Sequence, residues 1–293
     1  LPSSCYSTVP RKAAILICVE RAAANSTLGY PNYDWSRPVE VSRAQISNLS
    51  AKRFLSNLAD ESAELVFLDP PFNLGKDYGK SLSAKDRMPE GVYAEWLRAI
   101  LTESARILRP GGTLYLYHIP KWAMRAGVWL EEDLEFRHWI AVSMKNGFAR
   151  GKRLYPAHYA LLMFSRGEPR AFSRPKLALQ RCRHCGRYVK DYGGYLSIVE
   201  EKGINLSDIW EDLSPVRHKS TKNRPANELP SRLYERVLEI SGAPGSTFVE
   251  PFAGSGTGTL AAVSRRMKAV VNDIELANCE IIVRRLQEDD RVE

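Results

Sequence analysis

The chain has 293 residues, large for one domain and small for two, so one α/β core with an inserted lobe suits its length. Hydrophobic residues make up 44% and charged residues 26%, an ordinary globular composition that excludes a disordered chain and allows a sizeable core. The net charge of +8 favours polyanionic partners, and no apolar run approaches the length that spans a bilayer.

Residues 1–40 read as an N-terminal extension that adds little to the fold. Ala13 to Val19, behind Arg11 and Lys12, is faintly like a signal peptide, but Glu20 and Arg21 interrupt it and no clear cleavage site follows. The cysteines Cys5, Cys18, Cys182, Cys185 and Cys279 are scattered and odd in number, which argues against a disulfide framework and for a reducing cytoplasm.

The run Leu65-Val66-Phe67-Leu68 predicts a strand covered on both faces, as in a parallel sheet. Asp69-Pro70-Pro71-Phe72 follows at its carboxyl end, where open α/β sheets bind ligands. A polar loop runs from Asn73 to Gly91. Residues 92–108 predict a helix with Leu97, Ile100, Leu101 and Leu108 on one face, ended by Arg109-Pro110-Gly111-Gly112. Strands are expected at Thr113–Tyr117, at Phe136–Met144 and at His158–Ser165, the last two as an antiparallel pair at the sheet edge. Residues 145–190 carry twelve Lys or Arg against one acid, Glu168, with tyrosines interspersed. Such a stretch suits a phosphate-tracking surface better than a plain solvated face. Regular patterning returns near Pro230 with a helix carrying Leu233, Val237 and Leu238. Strand 246–250, helix 256–267, strand 268–272 and a helix to about Leu286 complete the chain.

Two segments carry chemistry. An exocyclic amino nitrogen on a base is a poor nucleophile because its lone pair is delocalised. The Asp69 carboxylate and the Pro70 carbonyl can each accept one of its hydrogens, and Pro71 stiffens the turn. Phe72 offers a face for the base. A base inside a duplex would have to be flipped out to reach them. Thr247-Phe248-Val249-Glu250, then Phe252-Ala253-Gly254-Ser255-Gly256-Thr257, read as strand, glycine turn and helix start. Asp273 ends the neighbouring strand, where it could accept ribose hydroxyls. The spacing is not that of a dinucleotide fingerprint, and the turn lacks a P-loop lysine. Cys182-x-x-Cys185 has the spacing of half a zinc knuckle, but no second Cys-x-x-Cys exists, so a tight turn without metal is the favoured reading.

In these two motifs, and in their order, the chain resembles the β-class, circularly permuted S-adenosylmethionine-dependent DNA amino-methyltransferases over residues 40–290. The resemblance implies a doubly wound, mostly parallel α/β sheet of the class I methyltransferase kind. Its catalytic domain would span 41–165 and 217–293, with a target-recognition lobe at 166–216. It implies S-adenosylmethionine held by Glu250, Phe252, Ala253, Gly254, Ser255, Gly256, Thr257 and Asp273, with His218–Leu229 packed on its methionine end. It implies catalysis by Asp69, Pro70, Pro71 and Phe72 on double-stranded DNA, with Asp69 leaning toward adenine N6 over cytosine N4. A cytoplasmic enzyme, a homodimer and a restriction endonuclease partner would suit the class. Leu49-Ser50 departs from the Gly-Asp pair usual before the first motif, which bears on the contact to the adenine edge. An RNA or protein amide methyltransferase and an inactive DNA-binding homologue are the rival readings.

Overall fold

A computed structural model describes residues 33–75, 87–143, 151–152, 154–182, 184–190, 192–213 and 228–289. The unit Asp34–Glu293 is built on one nine-stranded sheet. Its central strands are built on short apolar runs flanked by polar residues. They are β3 (Ala63–Leu68), β10 (Thr247–Glu250) and β11 (Lys268–Asn272), all parallel. Both faces are covered, which is why these strands do not alternate polar and apolar. Val66 and Leu68 pack into the cluster made with α1 (Ala51–Ser56), α2 (Glu90–Arg106) and α3 (Pro120–Leu130). Phe67 lies 4.7 Å, centroid to centroid, from Tyr234 of α5 (Ser231–Ser241).

The spatial order is β1-β2-β11-β10-β3-β4-β6-β5-β9. Here β1 is Val39–Val41, β2 is Ala44–Ser47, β4 is Leu108–His118, β5 is Glu135–Ser143, β6 is His158–Ser165 and β9 is Ile209–Trp210. From β10 the chain passes through α6 (Thr257–Ser264) to β11 on one side. From β3 it passes through α2 to β4 on the other. The winding therefore reverses between β10 and β3, which opens a crevice at their carboxyl ends. The last helix, α7, is Leu276–Asp289.

Several boundaries differ from those expected. The helix expected over 92–108 ends at Arg106, and Leu108 opens β4 by pairing with Ala63. Arg109-Pro110-Gly111-Gly112 is thus a bulged strand entry. Gly111 and Gly112 bond to Arg166 there, and φ at Gly111 is +79°. The pair β5 and β6 is antiparallel as expected, but it does not end the sheet, because β9 adds in parallel to β5. The β1–β2 hairpin is not among the elements the sequence pattern predicts. It begins at Val39, inside the span assigned to the N-terminal extension, and β2 pairs in parallel with β11.

Within 166–216 a two-stranded ribbon, β7 (Lys176–Leu177) with β8 (Ile204–Asn205), accompanies α4 (Leu196–Lys202). Residues 209–213 lie against the main sheet and α5. Arg236, a side chain with no exposed surface, forms a two-pronged ion pair with Asp212 and stacks over the Trp210 ring at 5.0 Å.

Candidate active site

The register Phe248↔Leu65 and Val249↔Val66 carries Asp69 and the Gly254 turn to the same rim of adjacent parallel strands. The two motifs, 185 residues apart by number from Asp69 to Gly254, meet across the crevice where the winding reverses.

The glycine turn is held from several sides. φ is +55° at Gly254 and +79° at Gly256, a region that costs other residues strain. A Cβ at Gly256 would also lie 2.7 Å from Cγ1 of Ile282 in α7, and one at Gly258 would lie 2.6 Å from Oε2 of Glu250. Those two glycines are thus required by the packing of α6, besides any ligand. The Gly254 N–H donates to Oδ2 of Asp273 at 2.9 Å. Oδ1 of Asp273 accepts from the N–H of Glu275 and from Nδ2 of Asn278. Asp273 therefore clamps the turn to the start of α7. Nη1 of Arg285 donates to the Ser255 carbonyl at 2.6 Å. Glu250 has no exposed surface and accepts from the Tyr234 hydroxyl at 2.7 Å. Phe252 is partly buried and meets Trp96 of α2 edge-on, 5.9 Å between centroids. Ala253 and Ser255 are buried, and Thr257 opens α6.

The segment that departs from the family pattern lies on this rim too. Nδ2 of Asn272 donates to the carbonyls of Leu49 and Pro251, and Nδ2 of Asn48 donates to those of Asp273 and Ile274. Ser50 caps α1, its hydroxyl accepting from the Arg53 N–H.

On the opposite side of the crevice, Asp69 is half-buried beside two tyrosines. Burial, then the nearby Asp69 charge, raise the Tyr117 hydroxyl well above its usual range. The same two causes raise Tyr159. Both stay protonated at neutral pH. The Phe72 ring is only 7% exposed. It stacks on His118 at 4.7 Å, with Tyr117 and Tyr159 at 6.1 and 5.8 Å. The face expected to receive a base is thus largely covered. Asn73, at φ +56°, bonds both the N–H and the carbonyl of Met88, pinning the two ends of the loop between them. Pro70 is buried, and the Pro71 carbonyl accepts from the Tyr93 hydroxyl.

Tyr93, Trp96, His118, Tyr159, Tyr234 and Arg285 were not singled out as site residues from sequence. Each comes from a different element from the motif that it touches, at no spacing that marks the pairing. His118 carried a usable signal, since it is a histidine inside the apolar run of β4.

Away from the rim, Cys182 and Cys185 form a tight turn closed by the Gly186 N–H on the Cys182 carbonyl. The N–H groups of Cys185 and His184 hold the Cys182 thiol below its usual range. Among the described residues no three metal-ligating side chains come together. Cys279 is buried under the Ser47 carbonyl, and burial pushes its thiol up. In the basic stretch, Arg166 is tied to the Ala105 carbonyl and Arg181 stacks on Tyr188 and pairs with Glu200. Lys152, Arg174, Arg187 and Lys190 are exposed. Residues 214–227, most of the segment expected on the methionine end, lie outside the described residues.

A family model described as DNA methylase matches residues 63–284. The type II methyltransferase M.BamHI of Bacillus amyloliquefaciens is 41% identical over 248 residues, covering 84% of this chain and 58% of that protein. The chain spans 58%, 63% and 60% of the lengths of three such curated relatives. Among solved structures, the M1.HpyAVI–SAM complex superposes with a TM-score of 0.56 at 17% identity, over 83% of this chain and 98% of that one. The cytosine-N4-specific PvuII DNA methyltransferase superposes with a TM-score of 0.58 at 15% identity, over 87% of this chain and 94% of that one.

Proposed function

The chain belongs to the DNA methylase family, and from that premise we propose that it transfers a methyl group from S-adenosylmethionine to the exocyclic amino group of a flipped base in double-stranded DNA. The observation that carries this reading is the meeting of Asp69-Pro70-Pro71-Phe72 and the Gly254 turn on one rim, at the point where the winding reverses.

The rim fits the cofactor. Its turn presents backbone without side chains at two positive-φ glycines, next to a carboxylate at Asp273 and an aromatic edge at Phe252 and Trp96. Gly254 and its neighbours would hold the cofactor, with Phe252 against the adenine ring and Asp273 toward the ribose. Three N–H donors already converge on Asp273, so any ribose contact is added to a clamp. The bound cofactor supplies an electrophilic sulfonium methyl.

The Asp69 carboxylate accepts one amine hydrogen of the target, and the Pro70 carbonyl the other. Two acceptors in fixed positions draw the nitrogen toward a tetrahedral shape and free its lone pair. The neutral hydroxyls of Tyr117 and Tyr159 lie near Asp69 and carry no charge of their own, so they leave the acceptor its charge. Once the nitrogen is methylated, its excess proton leaves through Asp69 to water.

Adenine N6 is the target favoured by an aspartate at the head of the motif. Cytosine N4 is the second reading, favoured by the likeness to the cytosine-N4-specific PvuII structure. A plasmid grown in cells expressing this chain, digested to nucleosides and analysed by mass spectrometry, separates them. N6-methyladenine supports the first and N4-methylcytosine the second, and neither base above background would sink both. The exposed cations Lys152, Arg174, Arg187 and Lys190 are the proposed phosphate contacts, with the recognition lobe within 166–216, apart from residues 209–213 on the main sheet. A restriction endonuclease with the same site, a homodimer and a cytoplasmic location are further parts of this reading.

A further inference from the structure

One hydrogen-bond chain runs beneath the first motif, and its proton bookkeeping has a single solution. The backbone N–H of Ile119 points at Nδ1 of His118 at 2.8 Å, so Nδ1 is an acceptor. His118 has no exposed surface, and burial disfavours its charged form. A neutral ring with Nδ1 as acceptor carries its proton on Nε2. Nε2 lies 2.7 Å from the Tyr93 oxygen, so it donates there. The Tyr93 hydroxyl donates its own hydrogen to the Pro71 carbonyl, 2.5 Å away. The His118 ring also lies under Phe72, at 4.7 Å and 28° between planes.

The geometry points to Tyr93 and His118 as positioning residues that hold the motif from below: a tautomer-locked relay, Ile119 N–H to His118 to Tyr93 to the Pro71 carbonyl, fixes the peptide that follows the Pro70 acceptor, and the histidine ring seats Phe72. This rests on the methyltransferase reading above. It adds residues on β4 and α2 that touch neither substrate nor cofactor. The anchor is needed because prolines cannot be anchored through their own N–H, and both motif prolines lack one. A carbonyl that must accept an amine hydrogen within a narrow geometry is then best held by its neighbour's carbonyl. That carbonyl is what Tyr93 grips.

Tyr93→Phe removes one oxygen and keeps the ring among Trp96, Trp122 and His118. The single-turnover rate of methyl transfer to DNA should fall at least ~10-fold, while equilibrium affinity for S-adenosylmethionine moves less than ~2-fold. His118→Phe keeps a platform for Phe72 and breaks the same chain, so the double variant should be no slower than the slower single one. A Tyr93→Phe enzyme at the wild-type rate, a parallel loss of cofactor affinity and rate, or single effects that multiply in the double variant would overturn the relay. Histidine nitrogen NMR gives a readout that needs no turnover. An Nε2–H ring at His118 whose signal shifts in Tyr93→Phe supports the relay, and an Nδ1–H ring overturns it. Should the wild-type chain methylate no DNA, the functional reading falls and the NMR result alone decides the relay.

Discussion

Asp69 is half-buried near two tyrosine hydroxyls that its own charge helps to keep protonated. Its carboxylate is on the other side of the crevice from the Gly254 turn, and this separation makes a sharp prediction. Asp69→Ala should abolish methylation, down to a few per cent at about the level expected from losing a positioned acceptor. Cofactor affinity should stay near wild type, because no cofactor-side contact is removed. Single-turnover assays beside equilibrium binding check this, and a fast Asp69→Ala enzyme would remove Asp69 from the chemistry. His118 makes a prediction of another kind. Burial pushes it down to about 3 from 6.5. The unfolded chain binds a proton near 6.5 that the folded chain refuses until about 3. His118 therefore favours folding fully above the unfolded value, and that contribution is lost as pH falls toward the folded one. The slope is about 1.4 kcal/mol per pH unit for one proton. Denaturant unfolding at stepped pH should show His118→Phe losing less stability on acidification than wild type. Parallel curves would mean that the ring is charged or solvated in the folded state. Both motifs were legible at this scale, because Asp-Pro-Pro-Phe and the glycine turn are local strings. Tyr93 was not, and His118 showed only as a histidine in an apolar run, because an acceptor and its brace lie on different elements and leave no spacing that would pair them.

The elements were legible where burial is two-sided and illegible where pairing is decided at long range. β3 announces itself as an apolar run, and β10 and β11 as short apolar cores beside the glycine turn and Asp273. β1–β2 is short and carries Glu40, Arg43 and Gln45, and only its partner β11 makes β2 part of the core. β9 has two residues, set by β5 on one side and by Arg236 behind. The glycines were legible in position but only partly in cause, since Gly256 answers to Ile282 and Gly258 to Glu250 and Tyr234. Gly256→Ala must accept φ near +79° and a clash with a buried isoleucine, so it should cost about 1–3 kcal/mol from the backbone alone. Cofactor affinity should fall with it, as thermal melts and equilibrium binding would report. A stable variant with full affinity would mean that α6 and α7 slide apart freely. The Arg236–Asp212 pair predicts an asymmetry. Asp212→Ala strands a guanidinium that has no exposed surface, at about 3–5 kcal/mol. Arg236→Met leaves a carboxylate that is 44% exposed and can turn to water, so it should cost less. Equal losses in denaturant unfolding would contradict this.

At the scale of the whole molecule, charge and topology meet. The winding reversal brings a short acidic motif to the glycine turn, while the +8 excess is unevenly placed. Twelve of the 42 Lys and Arg fall in residues 145–190, which is less than a sixth of the chain. Not all of them are equally available. Arg166 is tied into the fold, and the exposed Arg181 is paired with Glu200 at the surface, so the stretch offers fewer unengaged phosphate contacts than its count suggests. That distinction is invisible in sequence, where a structural arginine and a surface one read alike. It is testable by salt. Each cation that neutralises a phosphate releases about one counterion, so its loss flattens the plot of log affinity against log salt by about 1. Lys152→Ala, Arg187→Ala and Lys190→Ala together should flatten the slope by about 3 and weaken binding similarly on all DNA sequences. Arg181→Ala should leave the slope unchanged, because its guanidinium already faces Tyr188 and Glu200. Fluorescence-anisotropy titrations of duplex DNA at stepped salt distinguish the two. A slope that moves with Arg181 and not with Lys152, Arg187 and Lys190 would put the DNA on a different face of the molecule.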